Sequence, residues 1–322
     1  MTARAAADNA FPPLDVVIPT WNGRHLLEGC LRALAAQTIA CSVIVADNGS
    51  TDGTIELVRE ASPAARLVEL GENLGFGPAV NRGVAAGAAP FVVLVNNDVH
   101  CDPSFLERLA APFEESPQIG MVAGLLLRPG RMVVDSYGLE LDRTLAAFPR
   151  FAGEPYHPER LDESGLFAPS GGAAAYRRRA FESVGGFDER LFAYMEDVDL
   201  GLRLQGAGWR CAGAPEALGV HERSATAGRR SRRQVEIAGA SRGYMLRKYG
   251  VLRLGLRSAG MALAAEAAAV GAETLLGRDL AALRGRIAGW HRGAGVTGEV
   301  PDGVVDDTIG LIGSLRRRRA SL

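Results

Sequence analysis

The chain has 322 residues, of which 47% are hydrophobic and 23% charged, and its formal net charge is −1. That is ample apolar material for one large or two modest globular domains, and it excludes a disordered or fibrous chain. A near-neutral balance gives no general pull toward nucleic acid, so no nucleic-acid partner is expected.

Residues 1–13 lack the apolar core of a signal peptide and read as a flexible leader. Residues 14–19 (LDVVIP) are a short apolar strand, followed by a turn at Thr20, Trp21, Asn22 and Gly23. Over 24–36, Leu26, Leu27, Leu31 and Leu34 recur at helical spacing. Residues 41–46 (CSVIVA) are a second strand, ending at Asp47, Asn48, Gly49 and Ser50. Asp52 is expected to N-cap a helix running to about Glu60. A weaker strand over 66–70 leads through a glycine-punctuated segment to a helix over 78–86. The run 91–95 (FVVLV) is apolar throughout, as in a strand buried on both faces, and stops abruptly at Asn96, Asn97 and Asp98. Asp102 and Pro103 then read as the N-cap and first-turn proline of another helix.

Strands alternating with helices predict a mostly parallel, Rossmann-like α/β sheet flanked by helices. Such a sheet brings three polar clusters to the carboxyl ends of its strands: Thr20 to Asn22, Asp47 with Asn48, and Asn96 to Asp98. That edge is where open α/β sheets bind ligands. A carboxylate there can hold a divalent cation, and the cation can hold phosphates. A nucleotide-like ligand is therefore expected. The first turn, PTWNG, is not the Gly-x-Gly-x-x-Gly loop of a dinucleotide site, which argues against a nicotinamide dehydrogenase.

Further along, 121–127 and 132–138 are expected strands, 149–169 a mobile loop, and Ser170 to Ala173 a flexible small-residue segment. Residues 176–184 are expected to be helical, and Gly185 to Asp188 a turn. Met195, Glu196, Asp197, Val198 and Asp199 open a helix running to about Gln205. Asp199 pairs with Arg203 at i,i+4 spacing. His221 falls in an expected loop, HERSATAG. Trp21 and Trp209 read as packing residues. The division expected is a leader (1–13), an α/β domain (14–226) and a helical C-terminal region with a basic tail (227–322). No stretch reaches the length and purity of a membrane span; the nearest, 251–276, contains Arg253, Arg257, Glu266 and Glu273. Arg229, Arg230, Arg232, Arg233 and the arginines at 316–319 suit anionic headgroups, with solvated helix faces or a homodimer contact as competing uses. The four cysteines form no Cys-x-x-Cys pair, so neither a zinc site nor a disulfide framework is indicated, as in a cytoplasmic protein. Basic residues are almost all arginine, with Lys248 the single lysine, which reads as a coding bias toward arginine and alanine.

Five stretches resemble a known family: VVIPTWNG (16–23), VIVADNGSTDGT (43–54), ENLGFGPAVNRG (72–83), VLVNNDV (93–99) and GGFDERLFAYMEDVDLGLRLQGAGW (185–209). Their order and spacing resemble the family 2 inverting glycosyltransferases of GT-A fold, and within them the bacterial rhamnosyltransferase-like branch. The resemblance covers roughly 14–226. It implies transfer of a sugar from a nucleotide diphosphate donor to an acceptor hydroxyl, in the making of a cell-surface glycan. It implies Asp197 as general base with Glu196 beside it, and Asp47 as the carboxylate that recognises the base. Thr20, Asn22, Asn73, Asn81 and Asn97 are the further candidates for holding the donor nucleotide, with Asn73 and Asn81 equally suited to capping. Asp98 matches the aspartate that binds Mg2+ or Mn2+, and His221 resembles the histidine that completes that metal site. Two positions depart from the pattern. Asn96 replaces one carboxylate of the Asp-x-Asp motif, and Val80 stands where many members carry an arginine near the diphosphate. dTDP-rhamnose is the favoured donor and a UDP-hexose the second; the acceptor is a glycan or lipid-linked molecule, with the enzyme cytoplasmic or peripheral on the inner membrane face. The competing readings are a nucleotidyltransferase, which would need a glycine-rich basic loop that residues 20–24 do not supply, and a non-catalytic sugar-nucleotide-binding protein.

Overall fold

A computed structural model describes residues 12–222 and 231–320. The first half follows the expected alternation: β1 (Leu14–Thr20), α1 (Arg24–Ala35), β2 (Cys41–Asp47), α2 (Thr54–Ala61), β3 (Arg66–Glu69), α3 (Phe76–Ala86) and β4 (Phe91–Val95). Then come β5 (Val99–Cys101), α4 (Phe105–Ala110), α5 (Pro112–Glu115), β6 (Ile119–Leu127), β7 (Val134–Tyr137), β8 (Leu139–Leu141), β9 (Ala147–Pro149), β10 (Ala173–Arg177), α6 (Arg178–Ser183), α7 (Glu196–Gly206) and β11 (Arg210–His221). The C-terminal part is helical: α8 (Arg232–Lys248), α9 (Leu256–Gly277), α10 (Ala281–Arg292) and α11 (Leu311–Ala320).

One sheet runs β3-β2-β1-β4-β10-β6-β11-β5, with β7 added to β6. The first four strands are parallel. β10 then enters antiparallel between β4 and β6, so the sheet is mixed beyond β4. Every residue of β4 is buried, as its apolar run requires. One face of the sheet packs on α1, α2 and α4 through Leu27, Leu31, Leu57, Phe105 and Leu109. The other packs on α3, α6, α7 and α8 through Val80, Phe181, Leu202, Tyr244 and Met245. The helical C-terminal region thus shares the core of the α/β part.

Several local expectations are corrected. Asp52 is not the N-cap of α2; Gly53, at φ 83°, holds that place. Asp52 instead accepts from the Thr54 N–H and hydroxyl, and from the Arg24 N–H, tying the first two strand-to-helix turns together. Asp102 and Pro103 precede α4 without starting it: Ser104 is its N-cap, and the Asp102 carboxylate pairs with Arg131. The helix expected from residue 176 begins only at Arg178. Ala173 to Arg177 form central strand β10, where alanine's small side chain fits between two tightly packed faces although its strand propensity is low. His221 is not in a loop but ends β11. Residues 223–228 of HERSATAG, with Arg229, Arg230 and residues 1–11, lie outside the described residues.

Lys248 is the main surprise. It is buried, with its ammonium 2.7 Å from Asp188 Oδ2 and 2.6 Å from Asp199 Oδ1. Asp188 also accepts from the Tyr244 hydroxyl, and Asp199 from Arg203 Nε at 2.8 Å and the Tyr249 hydroxyl at 2.9 Å. Burial alone would raise the Asp188 carboxyl, but Lys248 and Tyr244 outweigh it and hold it well below the usual range. A compact ammonium here meets two converging carboxylates at once. α8 and α10 meet just as closely: a Cβ on Gly239, Gly243, Gly285 or Gly289 would lie within 3.0 Å of the opposing backbone. Lys248→Met should leave two buried carboxylates short of a cation and lower the unfolding free energy by about 3 kcal/mol, as read by urea denaturation at neutral pH.

Candidate active site

The carboxyl ends of β1, β2 and β4 converge. Thr20 and Asp47 are register partners, and both are buried. Asp47 Oδ1 accepts from the backbone N–H of Gly49 at 3.0 Å and Ser50 at 2.9 Å, whereas Oδ2, also buried, has no protein partner. An unmet buried acceptor is costly unless a ligand donor reaches it. Asn97 Nδ2 donates to Thr20 Oγ1 at 2.9 Å. This pair is possible because residue 23 is glycine: a Cβ there would lie 2.2 Å from Asn97 Nδ2. Asn22, at φ 48°, bonds Ser50 and Thr51 across to the β2 loop. Trp21, expected to pack, is 50% exposed at this edge.

Asp98 follows the turn after β4. Its Oδ1 lies 3.1 Å from His221 Nε2, and His221 Nδ1 lies 2.7 Å from Asp135 Oδ2 on β7. Burial works against a charged imidazole, but the two carboxylates outweigh it and raise His221 to about 9. Neighbouring ligands of an octahedral cation at about 2.1 Å stand about 3 Å apart, so one carboxylate and one imidazole at this separation fit a divalent ion. Asp135 is the outer partner that a metal-binding histidine ordinarily has. Among the described residues no set of three or more His, Cys, Asp and Glu side chains converges on one point, so the remaining positions fall to ligand and water oxygens. Asp135 went unnoticed in the sequence; its one signal is a carboxylate inside an apolar strand, Val133-Val134-Asp135.

Glu196 and Asp197 open α7 after two consecutive non-glycine residues at positive φ, Tyr194 (68°) and Met195 (65°). Such a backbone costs about 1–3 kcal/mol per residue and persists only when its surroundings enforce it. Here the Ser241 hydroxyl on α8 donates to Ala193 O at 2.7 Å, and the Phe76 N–H to Phe192 O at 2.8 Å. Asp197 accepts from the N–H of Val198 at 2.8 Å and of Gly171 at 3.2 Å. Glu196 Oε2 is buried without a partner. Burial raises both carboxyls, and the neighbouring Asp197 charge adds to it at Glu196, which reaches about 8. Two adjacent buried carboxyls do not both ionise readily; the backbone N–H bonds favour the anion on Asp197, and Glu196 keeps the proton. The segment Ser170 to Gly172, expected only to be flexible, joins the two centres: Gly171 holds Asp197, while Gly172 O accepts from the Asn96 N–H at 3.3 Å.

The remaining candidates lie otherwise. Asn73 Oδ1 accepts from the Gly75 N–H at 3.0 Å, closing a turn. Asn81 donates to Phe187 O and accepts from Phe187 N, both at 2.9 Å, so its amide clamps α3 to the loop before α7. Val80 is fully buried and faces the core.

A carboxylate-bearing sheet edge, an Asp–His pair and a pair of buried carboxyls make up the candidate site of this α/β fold. Residues 12–250 match the family model described as glycosyltransferase like family 2, and the chain belongs to that family. The N-acetylglucosaminyl-diphospho-decaprenol L-rhamnosyltransferase of Mycobacterium tuberculosis is 36% identical over 240 residues, spanning 67% of this chain and 78% of its own. An O-antigen biosynthesis protein of Myxococcus xanthus is 31% identical over 67% of this chain but only 18% of its own. Among solved structures, a mannosyltransferase of Pyrobaculum calidifontis in complex with GDP-mannose and Mn2+ superposes with a TM-score of 0.53 at 21% identity, covering 88% of this chain and 89% of its own. The fold is therefore GT-A, and the protein is a glycosyltransferase.

If Glu196 is held protonated by burial, folding takes up a proton there between about pH 4.5 and about 8, and stability falls as pH rises through that window. Glu196→Gln should remove this cost and raise the unfolding free energy at pH 7 by about 1–3 kcal/mol, with the gain vanishing toward pH 4. A gain independent of pH would count against the protonated assignment.

Proposed function

We propose that this enzyme transfers a sugar, with inversion, from a nucleotide diphosphate donor to a hydroxyl of a lipid-linked glycan acceptor. The observation that carries this reading is the paired arrangement of Asp98–His221 and Glu196–Asp197, joined by the Ser170 to Gly172 segment. The favoured donor is dTDP-rhamnose, by likeness to the mycobacterial rhamnosyltransferase, and a UDP-hexose is second.

The unmet Asp47 Oδ2 suits the imide N–H of a pyrimidine, which is shared by thymine and uracil. Thr20, Asn22 and Asn97 line the same edge. The exposed Trp21 ring stands beside it, available for stacking. Asp98 and His221 would hold Mg2+ or Mn2+, a Lewis acid that neutralises charge growing on the departing diphosphate; Asp135 fixes the ring of His221. Asp197, the more readily ionised member of its pair, takes the acceptor's hydroxyl proton. The acceptor oxygen then bonds to the anomeric carbon from the side opposite the leaving group, and the diphosphate departs with the electrons of the broken C–O bond. The raised carboxyl places the base closer to working pH than an ordinary aspartate, which favours proton transfer. Asn73 and Asn81 shape the walls of the donor site through the turns they hold.

Asp197→Asn should lower turnover by about 10²–10⁴-fold while donor binding, measured by calorimetry, stays intact; equal loss of both would reject the general-base role. Calorimetry with dTDP-rhamnose, UDP-galactose, UDP-N-acetylglucosamine and GDP-mannose, with and without Mn2+, should give metal-dependent binding of a pyrimidine donor that Asp98→Ala abolishes. Preference for GDP-mannose would sink the Asp47 assignment. Asp135→Asn should weaken Mn2+ binding in the presence of nucleoside diphosphate by about 10–100-fold.

A further inference from the structure

The 22-residue helix α9 is long and apolar enough to cross a membrane by length and composition, although the sequence reading set this stretch aside for its charges. Those charges are not distributed around the helix. Glu266 faces inward, taking Arg242 Nε at 2.7 Å, Arg286 Nε at 2.8 Å and Arg318 Nη1 at 2.9 Å from α8, α10 and α11. Two turns on, Glu273 pairs with Arg286 at 3.2 Å. The helix is thereby fastened to the protein along one side. The solvent-exposed remainder of the helix carries Leu256, Leu263 and Leu275 at 94%, 58% and 81% exposure, with small residues between them and Arg257 as its one charge. Leu283 and Ile287 of α10, 40% and 50% exposed, add to the apolar surface.

We propose that α9 and α10 form a docking face for an anionic phospholipid bilayer. Two observations favour lipid over a second copy of the chain. The exposed charges around the face are all basic, Arg253, Arg257, Arg278 and Arg284, while the acids of this region, Glu266, Glu273 and Asp279, are spent on ion pairs or on capping Ala281 N. An apolar helix face rimmed by arginine is the pattern of a helix lying in the headgroup layer. A cleft of ≈ 370 Å³ among Leu246, Val251, Ala262, Leu263 and Trp290, between α8, α9 and α10, is almost wholly apolar and of a size for part of an acyl chain. The inference deepens the lipid-linked reading of the acceptor, yet bilayer binding needs neither donor nor turnover, so the two fail separately.

The full chain is tested by co-sedimentation with vesicles of phosphatidylcholine alone and of an equimolar phosphatidylcholine–phosphatidylglycerol mixture. Binding to the mixed vesicles should be at least about tenfold tighter, and Leu263→Glu/Leu275→Glu and Arg257→Gln/Arg278→Gln should each lower it about tenfold or more. The substituted side chains are exposed, and circular dichroism checks the fold. Acyl-brominated lipid should quench fluorescence in the wild type, and Trp290→Phe should remove that quenching. Absence of binding to mixed vesicles, or binding unaffected by either double variant, overturns the proposal, as does unchanged quenching in Trp290→Phe. A wild-type dimer in sedimentation velocity that the leucine variant dissociates, without vesicle binding, would assign the face to self-association instead.

Discussion

A single ammonium between two buried carboxylates holds this enzyme's parts in register. Asp188 belongs to the loop before α7, Asp199 to α7 itself, and Lys248 to the end of α8. Charges so far from water are tolerable only when each meets a partner. The bridge therefore fixes where α8 sits, and α8 in turn places Ser241 beneath the strained turn at Ala193 to Met195. The geometry of Glu196 and Asp197 follows from that turn. A C-terminal helix thus decides how Glu196 and Asp197 are presented.

The same economy runs through the Asp98–His221 side. The Asp-x-Asp motif has lost one carboxylate at Asn96, and the local charge that remains is assembled from three separate strands and turns: Asp98 after β4, His221 at the end of β11, and Asp135 on β7. Because β7 and β11 both pair with β6, the histidine and its outer carboxylate arrive together. Ser170 to Gly172 links this cluster to Asp197 through the Gly171 N–H and the Gly172 carbonyl, and the Ser170 hydroxyl meets that of Ser136 on β7 at 3.2 Å.

Much of this was legible in the sequence for identifiable reasons. The parallel half of the sheet was visible because β1, β2 and β4 are mainly apolar runs, each ending in polar residues. Asp98, Asp47 and the Glu196–Asp197 pair stood out because strand ends and helix starts concentrate chemistry. β10 was not legible: Ala173-Ala174-Ala175 carries no strand signal, and its place is set by the space between β4 and β6. β11 was obscured by its glycines and proline, so its terminal His221 read as a loop residue. Asp135 and Lys248 were invisible as functional and structural residues for one reason. Their partners lie 86 residues away at His221, and 60 and 49 residues away at Asp188 and Asp199, and no local pattern encodes such meetings.

The solitary lysine has a practical corollary in labelling chemistry. The chain carries no other side-chain amine, and this one is enclosed at 5% exposure within its ion-pair network. An amine-directed acylating reagent therefore finds no lysine on the folded surface. Lys248 becomes accessible when α8 lifts from α7, so the extent of its acylation reports the opening of that one joint. The natural sequence thus carries a single-site chemical clock for detachment of the C-terminal helices from the catalytic domain.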